Sequence, residues 1–238
     1  TLVVIALFWW LEMGFRSIIF IGAILGSISL IPLLFVSEPR TVPVKKGLIE
    51  GVGGLDRNLK FFIFVASVFT FANFGLYMFL LVRAQEISGS FAVPLLMYAL
   101  FNIFYAAGSI PFGRMSDRVG RKKVLLLGYL LFFLLALAFA GVSDLIVFGG
   151  LFALYGIVSA ITKPIQNAFV SDLAREMRGT AFGFYHFVTG IVAVPAGLMA
   201  GYVWEIGHGM MFGYLALMAL VAIVLLLFVK EDGELRNS

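Results

Sequence analysis

Long uncharged stretches, separated by short charged connections, run along this 238-residue chain. Seven of them have 18 or more residues: 17–36, 61–82, 91–112, 124–143, 145–162, 179–204 and 209–229. About 18 or more consecutive apolar residues cross the hydrocarbon core of a bilayer as a helix. The pattern therefore predicts seven transmembrane helices, most of them joined by short turns.

A further apolar run, Leu2–Leu11, opens the sequence without the cationic flank that precedes a signal peptide. Its ten residues, at about 1.5 Å each, cover roughly half of a ~30 Å hydrocarbon core. We therefore predict a partial helix over 1–11, the end of a span whose upstream residues are missing from this sequence. A short helix lying in the membrane interface is the alternative.

Composition agrees with a membrane protein, since 62% of the residues are hydrophobic, 13% are charged and the mean hydropathy is +1.06. Soluble domains are about half apolar and about a quarter charged. The predicted fold class is an all-α polytopic membrane protein with the lipid bilayer as its solvent. The sequence has no cysteine, which excludes disulfides, thiolate metal sites and thiol nucleophiles within it.

The segment 37–60 interrupts the apolar pattern with prolines, glycines and charges, among them Pro39 and Pro43. This composition predicts a linker between two helical bundles. The glycines of Gly51–Gly54 also suggest a phosphate-binding loop, but no predicted strand precedes them and no Walker or GxGxxG pattern follows. We therefore prefer the linker interpretation.

Basic residues indicate the orientation, because Lys and Arg near span ends stay on the cytoplasmic side. Placing 37–60 inside puts fourteen of the 17 basic residues inside; Arg16 and Arg83 lie outside and Lys163 lies within a span. We predict a multi-pass protein of the cell (plasma or inner) membrane with a cytoplasmic C-terminus. The net charge of +4 is divided among loops, which predicts no nucleic acid partner and only an attraction to anionic lipid headgroups.

The connection Pro111–Lys123 carries the most specific local pattern in the chain. Gly113 allows close backbone approach, Asp117 can meet the positive end of a neighbouring helix, and Gly120 allows a tight turn. We predict a loop that latches two helical bundles in one conformational state; an ordinary basic topogenic loop is the alternative. The predicted conformational-switch residues are Gly113, Asp117, Arg118, Gly120, Arg121 and Lys122.

These six residues resemble the signature loop of the major facilitator superfamily, G-x-x-x-D-R-x-G-R-K, at each fixed position. In that family the loop joins the second and third helices of each six-helix half, and here it follows the second span after the linker. The segment 175–181 also resembles the family's sequence before the fifth helix of a half. The resemblance implies two six-helix bundles around a central cavity and a rocker-switch transport cycle.

On this resemblance the chain comprises the C-terminal half of a transporter and the end of its N-terminal half. The bundle's expected partner is the set of missing N-terminal helices of the same protein. The predicted domains are the end of the N-terminal bundle at 1–36 (partial helix 1–11, transmembrane helix 17–36), a cytoplasmic inter-bundle linker at 37–60, a C-terminal six-helix bundle at 61–229 and a cytoplasmic tail at 230–238.

Polar side chains within the spans cluster on four helices, in places at steps of three and four that form a single helix face. Burying them is costly unless they line a cavity or find partners. The resemblance places those four helices around the central pathway. For any single member, hydrogen bonding between helices is the alternative. The predicted substrate-cavity residues are Asn73, Tyr77, Tyr98, Asn102, Tyr105, Tyr155, Ser159, Lys163, Gln166, Tyr185, His186 and Thr189.

Two of these residues carry charge chemistry. Lys163 has no acidic residue in the predicted spans to pair with. It either binds an anionic group, pairs with an acid from the missing half, or extends to water at the interface. His186 is either a proton relay near neutral pH or a hydrogen-bonded structural residue.

The sequence favours a secondary active transporter, a permease or exporter, that moves a small solute by alternating access. A proton or another ion is a candidate coupling partner. The alternative is a non-transporting receptor or assembly subunit on the same fold, because a fold does not dictate a function. An enzyme is not expected, since the sequence has no P-loop, no GxSxG and no metal-spaced His and acid cluster. No cofactor is expected.

Overall fold

A computed structural model describes residues 15–28, 31, 48–174 and 177–231. The chain divides into two compact units, Thr1–Lys46 and Gly47–Ser238, and each is described by itself. The described helix of the first unit is α1 (Phe15–Ile28), which overlaps the predicted span 17–36. The predicted partial helix 1–11 and tail residues 232–238 lie outside the described residues.

The described part of the second unit is built from helices and contains no β-strand. The helices are α2 (Leu48–Gly53), α3 (Arg57–Asn73), α4 (Leu76–Ser88), α5 (Ala92–Val119), α6 (Arg121–Ala140), α7 (Leu145–Ala174), α8 (Arg178–Ile206) and α9 (His208–Leu227). Among the described residues, α3 with α4, and each of α5 to α9, are long and apolar enough to cross a membrane, which gives six spans. The predicted all-α polytopic fold is confirmed.

Helix α7 lies at the centre of this bundle and is its most deeply buried span. It packs against α3, α4, α5, α6 and α8, while α9 packs against α3, α6 and α8. The core between them is largely aromatic, with fully buried rings such as Phe62, Phe132 and Phe169. Outward-facing apolar side chains, such as Ile146 and Leu198, are exposed on the bundle surface, as expected where lipid replaces water.

Small residues let α7 approach its neighbours closely. A Cβ built on Gly156 would lie 2.6 Å from the backbone oxygen of Phe101 on α5. A Cβ on Gly128 of α6 would lie 2.7 Å from a side-chain carbon of Ile161 on α7. Only glycine fits at such distances, and close backbone contact contributes dispersion energy where helices meet in lipid.

The first span of the bundle is broken in its middle, which the uninterrupted run 61–82 did not predict. Helix α3 ends at Asn73, Gly75 adopts a left-handed conformation with φ +73°, and α4 begins at Leu76. Glycine is the residue that takes this conformation without steric cost. The apolar composition on both sides of Gly75 hid the break, because hydropathy does not report backbone angle.

Two helices extend beyond the ends of the predicted spans. Helix α5 continues through the predicted signature loop to Val119, and α7 continues past Lys163 and Pro164 to Ala174. At about 1.5 Å per residue these helices of 28 and 30 residues exceed a ~30 Å hydrocarbon core. Their polar ends are therefore helix that projects beyond the core, and within the predicted loop only Gly120 lies between α5 and α6.

The predicted linker 37–60 is also partly helical, since the described residues from Leu48 onward include α2 and the first turn of α3. Asp56 caps α3 by accepting a hydrogen bond from the backbone N–H of Asn58 at 2.8 Å. This cap fixes where the first span of the bundle begins.

We expect Gly156→Ala to destabilise the protein by about 1–3 kcal/mol, because the added methyl group must push α5 away from α7. Gly150→Ala on the same helix is the matched control, since nothing lies within 4 Å of its built Cβ. Thermal unfolding of both variants in detergent, followed by tryptophan fluorescence, measures the difference. Equal unfolding temperatures would contradict the close approach.

Candidate functional site

An open cavity of about 500 Å³ lies in the second unit between α3, α4, α7 and α8. It is centred on the break in the first span, since Asn73, Phe74, Gly75 and Tyr77 all line it. The predicted residues that line it are Asn73, Tyr77, Tyr155, Lys163, Gln166, Tyr185, His186 and Thr189. The stripes predicted on α7 and α8 thus meet at one surface.

Apolar residues that the sequence did not single out complete the lining. They include Phe69 and Met78, of which Met78 is 57% exposed, and they lie beside Phe74, which is 45% exposed. An apolar residue in an apolar span carries no sequence signal that separates a cavity wall from a core or lipid contact. The aromatic and thioether surface here could be found only from the fold.

The predicted stripe on α5 adjoins the cavity without lining it. Tyr98 stacks on Tyr77 with ring centroids 6.1 Å apart, and Tyr105 faces Lys163 with 5.9 Å between ring centroid and Nζ. The amide of Asn102 donates to the backbone oxygen of Tyr98 at 2.7 Å. Ser159, a predicted cavity residue on α7, is fully buried and does not line the cavity either.

Buried hydrogen bonds hold the cavity wall together across three helices. The hydroxyl of Tyr185 on α8 donates to Oε1 of Gln166 on α7 at 3.1 Å. Nε2 of Gln166 in turn donates to the hydroxyl of Tyr129 on α6 at 2.8 Å. Tyr129 was not predicted, because it stands alone in a nearly apolar span. Gln166 thus joins α6, α7 and α8 behind the cavity.

A second hydrogen bond fixes the helix break. The hydroxyl of Tyr155 on α7 donates to Oδ1 of Asn73 at 2.7 Å. Asn73 is the last residue of α3, so this bond anchors the α3 side of the break to the central helix α7. The side chain of Phe74 packs near α8, where a Cβ on Gly197 would lie 3.2 Å from its ring.

Lys163 carries a positive charge on the cavity surface. Its side chain is exposed, and none of the described acidic residues forms an ion pair with it. His186 is also exposed on the cavity, with its ring 4.9 Å from that of Tyr185. Among the described lining residues these two have basic side chains, and none has a carboxylate.

A separate polar cluster surrounds the turn between α5 and α6, and we call it the turn cluster (Asp117, Arg121, Lys122, Asp172 and Glu231). The guanidinium of Arg121 pairs with Asp117 at 3.0 Å and with Asp172 at the end of α7. Its Nη1 also donates to the hydroxyl of Ser116 at 3.2 Å. Arg121 therefore ties the α5–α6 turn to α7.

The turn cluster also holds the chain that follows α9. The backbone N–H of Lys122 donates to Oε1 of Glu231 at 3.3 Å, and its Nζ donates to the backbone oxygen of Leu227 at 2.9 Å. Gly120, with φ +106°, makes the turn, and a Cβ there would lie 3.0 Å from a carboxylate oxygen of Glu231. A side chain at this position would be strained and would also crowd that carboxylate.

Two predicted switch residues stand apart from this cluster. A Cβ on Gly113 would meet nothing within 4 Å, and Arg118 is exposed without an ion pair among the described residues. The segment 175–181, which carries the other resemblance, is described only from Met177 onward.

The family assignment rests on the comparison with known proteins. A family model described as the Major Facilitator Superfamily matches residues 61–238. The chain belongs to this superfamily. The resemblance seen in the sequence is confirmed, and the six apolar spans found among the described residues indicate a multi-pass membrane protein.

Similar proteins include a transporter and two resistance proteins. An uncharacterised MFS-type transporter of Methanocaldococcus jannaschii is 42% identical over 92% of this chain and 57% of its own length. Multidrug resistance protein 2 of Bacillus subtilis is 29% identical over 73% of the chain and 44% of its own length. The class B tetracycline resistance protein of Escherichia coli is 29% identical over 66% of the chain and 39% of its own length. The chain thus spans about half the length of these curated relatives.

For this major facilitator bundle, we expect Tyr185→Phe to lower the free energy of unfolding by about 1–3 kcal/mol. The change leaves the buried Oε1 of Gln166 without its donor, and an unsatisfied buried polar atom is costly. Tyr214→Phe is the matched control, because the buried hydroxyl of Tyr214 has no partner among the described residues. Its removal should be neutral or slightly stabilising.

Unfolding of both variants in detergent, monitored by intrinsic fluorescence, tests this pair. If Tyr214→Phe is as destabilising as Tyr185→Phe, the loss comes from the ring environment and not from the Gln166 hydrogen bond.

Proposed function

We propose that the full-length protein is a secondary active transporter that carries a small solute across the membrane by alternating access. The observation that carries this proposal is the cavity of about 500 Å³ in the bundle, where hydrogen-bonding groups and aromatic rings meet beside a broken helix. Ligand sites in proteins are typically clefts of about 300–1,000 Å³ with a few polar groups in an apolar lining. Two relatives named for drug resistance support a small organic cargo.

Alternating access requires each bundle to move as a unit around the solute. The Gln166 hydrogen bonds join α6, α7 and α8, and the turn cluster joins the α5–α6 turn to α7 and to the chain after α9. These contacts favour rigid-body motion of the bundle, and the turn cluster braces one end of it. The break at Gly75 supplies a hinge beside the cavity, because two separate helices meet there.

We propose that the turn cluster and the C-terminus lie on the cytoplasmic side of the cell membrane. The α5–α6 turn carries Arg118, Arg121, Lys122 and Lys123, and basic residues at span ends are retained inside. The turn between α6 and α7, which contains Gly141, would then lie outside.

Labelling of single cysteines tests this orientation, since the chain has none of its own. We expect a membrane-impermeant maleimide to modify Gly141→Cys in intact cells and Lys123→Cys only after permeabilisation. Both positions are exposed, so failure to react reports the side of the membrane and not burial. Labelling of Lys123→Cys in intact cells would reverse the proposed orientation.

Transport itself is tested with the full-length protein in proteoliposomes, measuring uptake of a panel of labelled solutes with and without a pH gradient. We expect Arg121→Met to lower the flux of every transported solute about fivefold or more. A factor of about this size corresponds to the loss of a typical coupling free energy between two parts of a protein. Solute affinity should change little, because Arg121 lies in the turn cluster and not in the cavity lining.

The matched control is Lys123→Met, an exposed cation two residues away without an ion pair among the described residues. Its flux should equal that of the unchanged protein. Solute binding without flux in the unchanged protein would favour a receptor or assembly subunit on this fold. If the flux of Arg121→Met equals that of the unchanged protein, the ion pairs of the turn cluster do not contribute to transport.

A further inference from the structure

The charge of Lys163 is unbalanced within the described part of the chain. Its acidic residues lie at helix ends or in turns: Glu50, Asp56, Glu86, Asp117, Asp144, Asp172, Glu205 and Glu231. Those that form ion pairs do so with Arg83, Arg121 or His208. A cation at membrane depth normally faces a cavity and has an anionic or carbonyl partner. The described cavity lining offers no anionic one.

Lys163 lies beside the break in the first span. It lines the same cavity as Asn73 and Gly75, where that span breaks in its middle. Its ammonium group is therefore available to a molecule inside the cavity.

The cavity surface keeps hydrogen-bond donors that have no partner among the described residues. Oδ1 of Asn73 accepts from the Tyr155 hydroxyl, and Oε1 of Gln166 accepts from the Tyr185 hydroxyl. The amide N–H groups of Asn73 have no partner among the described residues, and Gln166 uses its amide nitrogen once. With the three N–H groups of the Lys163 ammonium, the surface presents donors to an acceptor-rich group.

The rest of the lining is apolar and aromatic. Phe74 and Met78 are large side chains left substantially exposed beside the break, and Phe69 and Tyr77 continue the wall. Tyr105 lies beside the Lys163 ammonium. Contact between this surface and a hydrophobic or aromatic body removes apolar area from water, which favours binding.

We infer that this cavity binds an amphipathic organic anion. Its acidic group, a carboxylate or a chemically similar oxyanion, accepts hydrogen bonds from Lys163 and the neighbouring amide donors. Its aromatic or apolar body lies against Phe74, Tyr77 and Met78. This inference rests on the proposed function only in identifying the bound anion as the cargo; the binding itself does not require transport.

Binding is tested with the purified full-length protein and pairs of probes that differ only in charge. The probes are benzoate, indole-3-acetate and 1-naphthoate, each compared with its neutral amide, and tryptamine as the cationic indole. Their affinities are obtained from ligand-dependent shifts of the unfolding temperature, since a ligand that binds the native state raises it. We expect at least one carboxylate to bind more tightly than its amide, and tryptamine to bind more weakly than indole-3-acetate.

The Lys163 variants assign that preference to one side chain. Lys163→Met should weaken carboxylate binding about tenfold or more, the change expected for loss of a charge-assisted hydrogen bond, and leave amide binding nearly unchanged. Lys163→Arg should retain the preference for the anion. Lys123→Met, which removes an exposed cation outside the cavity, should bind every probe as the unchanged protein does.

Several outcomes would overturn the inference. One is that no carboxylate binds better than its amide, and another is that Lys163→Met keeps the preference. A third is that Lys163→Met lowers the unfolding temperature sharply with no effect on the probes, because Lys163 would then pair with an acid elsewhere in the protein. Flux measured in parallel separates the two proposals: anion binding without flux refutes transport alone, whereas flux without any Lys163-dependent charge preference refutes the anion site alone.

Discussion

The hydrocarbon core of a bilayer offers no water, so every backbone N–H and C=O group there must bond within the protein. The six spans satisfy this constraint as helices. Where the first span departs from a helix, at Gly75, the freed backbone lies on the cavity and not against lipid. The constraint that makes the chain helical thus also marks where the helix can break, and the break lies on the face of the bundle that carries the cavity.

Polar side chains obey the same constraint. Ser67, Thr70 and Thr162 donate to backbone oxygens one turn earlier in their own helices, which removes them from the need for another partner. Gln166 instead reaches Tyr129 and Tyr185 on neighbouring helices. Among the described polar groups without such a partner, Lys163 and His186 lie on the cavity, whereas the buried hydroxyls of Ser159 and Tyr214 do not. These two basic side chains give the cavity surface hydrogen-bond donors and positive charge.

The ends of the helices follow different rules, because there water competes for every charge. Arg121 still forms ion pairs with Asp117 and Asp172, although both carboxylates are exposed and water screens these pairs. Together with Glu231 they place the α5–α6 turn, the end of α7 and the chain after α9 at one point. The bundle is therefore braced at one end and carries an open cavity beside the broken span.

Hydropathy alone determined the number of spans in the bundle and their order, since each must bury about 18 or more apolar residues in lipid. The spacing of Gly113, Asp117, Gly120 and Arg121 predicted the family, because a fixed turn with fixed charges leaves a local pattern. The loop predicted for this segment is wrong, because most of the segment is helix. A membrane-spanning helix can continue into water wherever its residues tolerate helical backbone angles.

The tertiary structure alone decided which polar residues share a surface. Tyr105 and Ser159 have the same helical spacing as residues that line the cavity, yet one adjoins it and the other is buried in the core. The break at Gly75, the close contact at Gly156 and the bond from Gln166 to Tyr129 were equally invisible. Each depends on how helices rotate and approach one another, and that is set by long-range packing, whereas hydropathy and spacing report only what a residue contributes along its own helix.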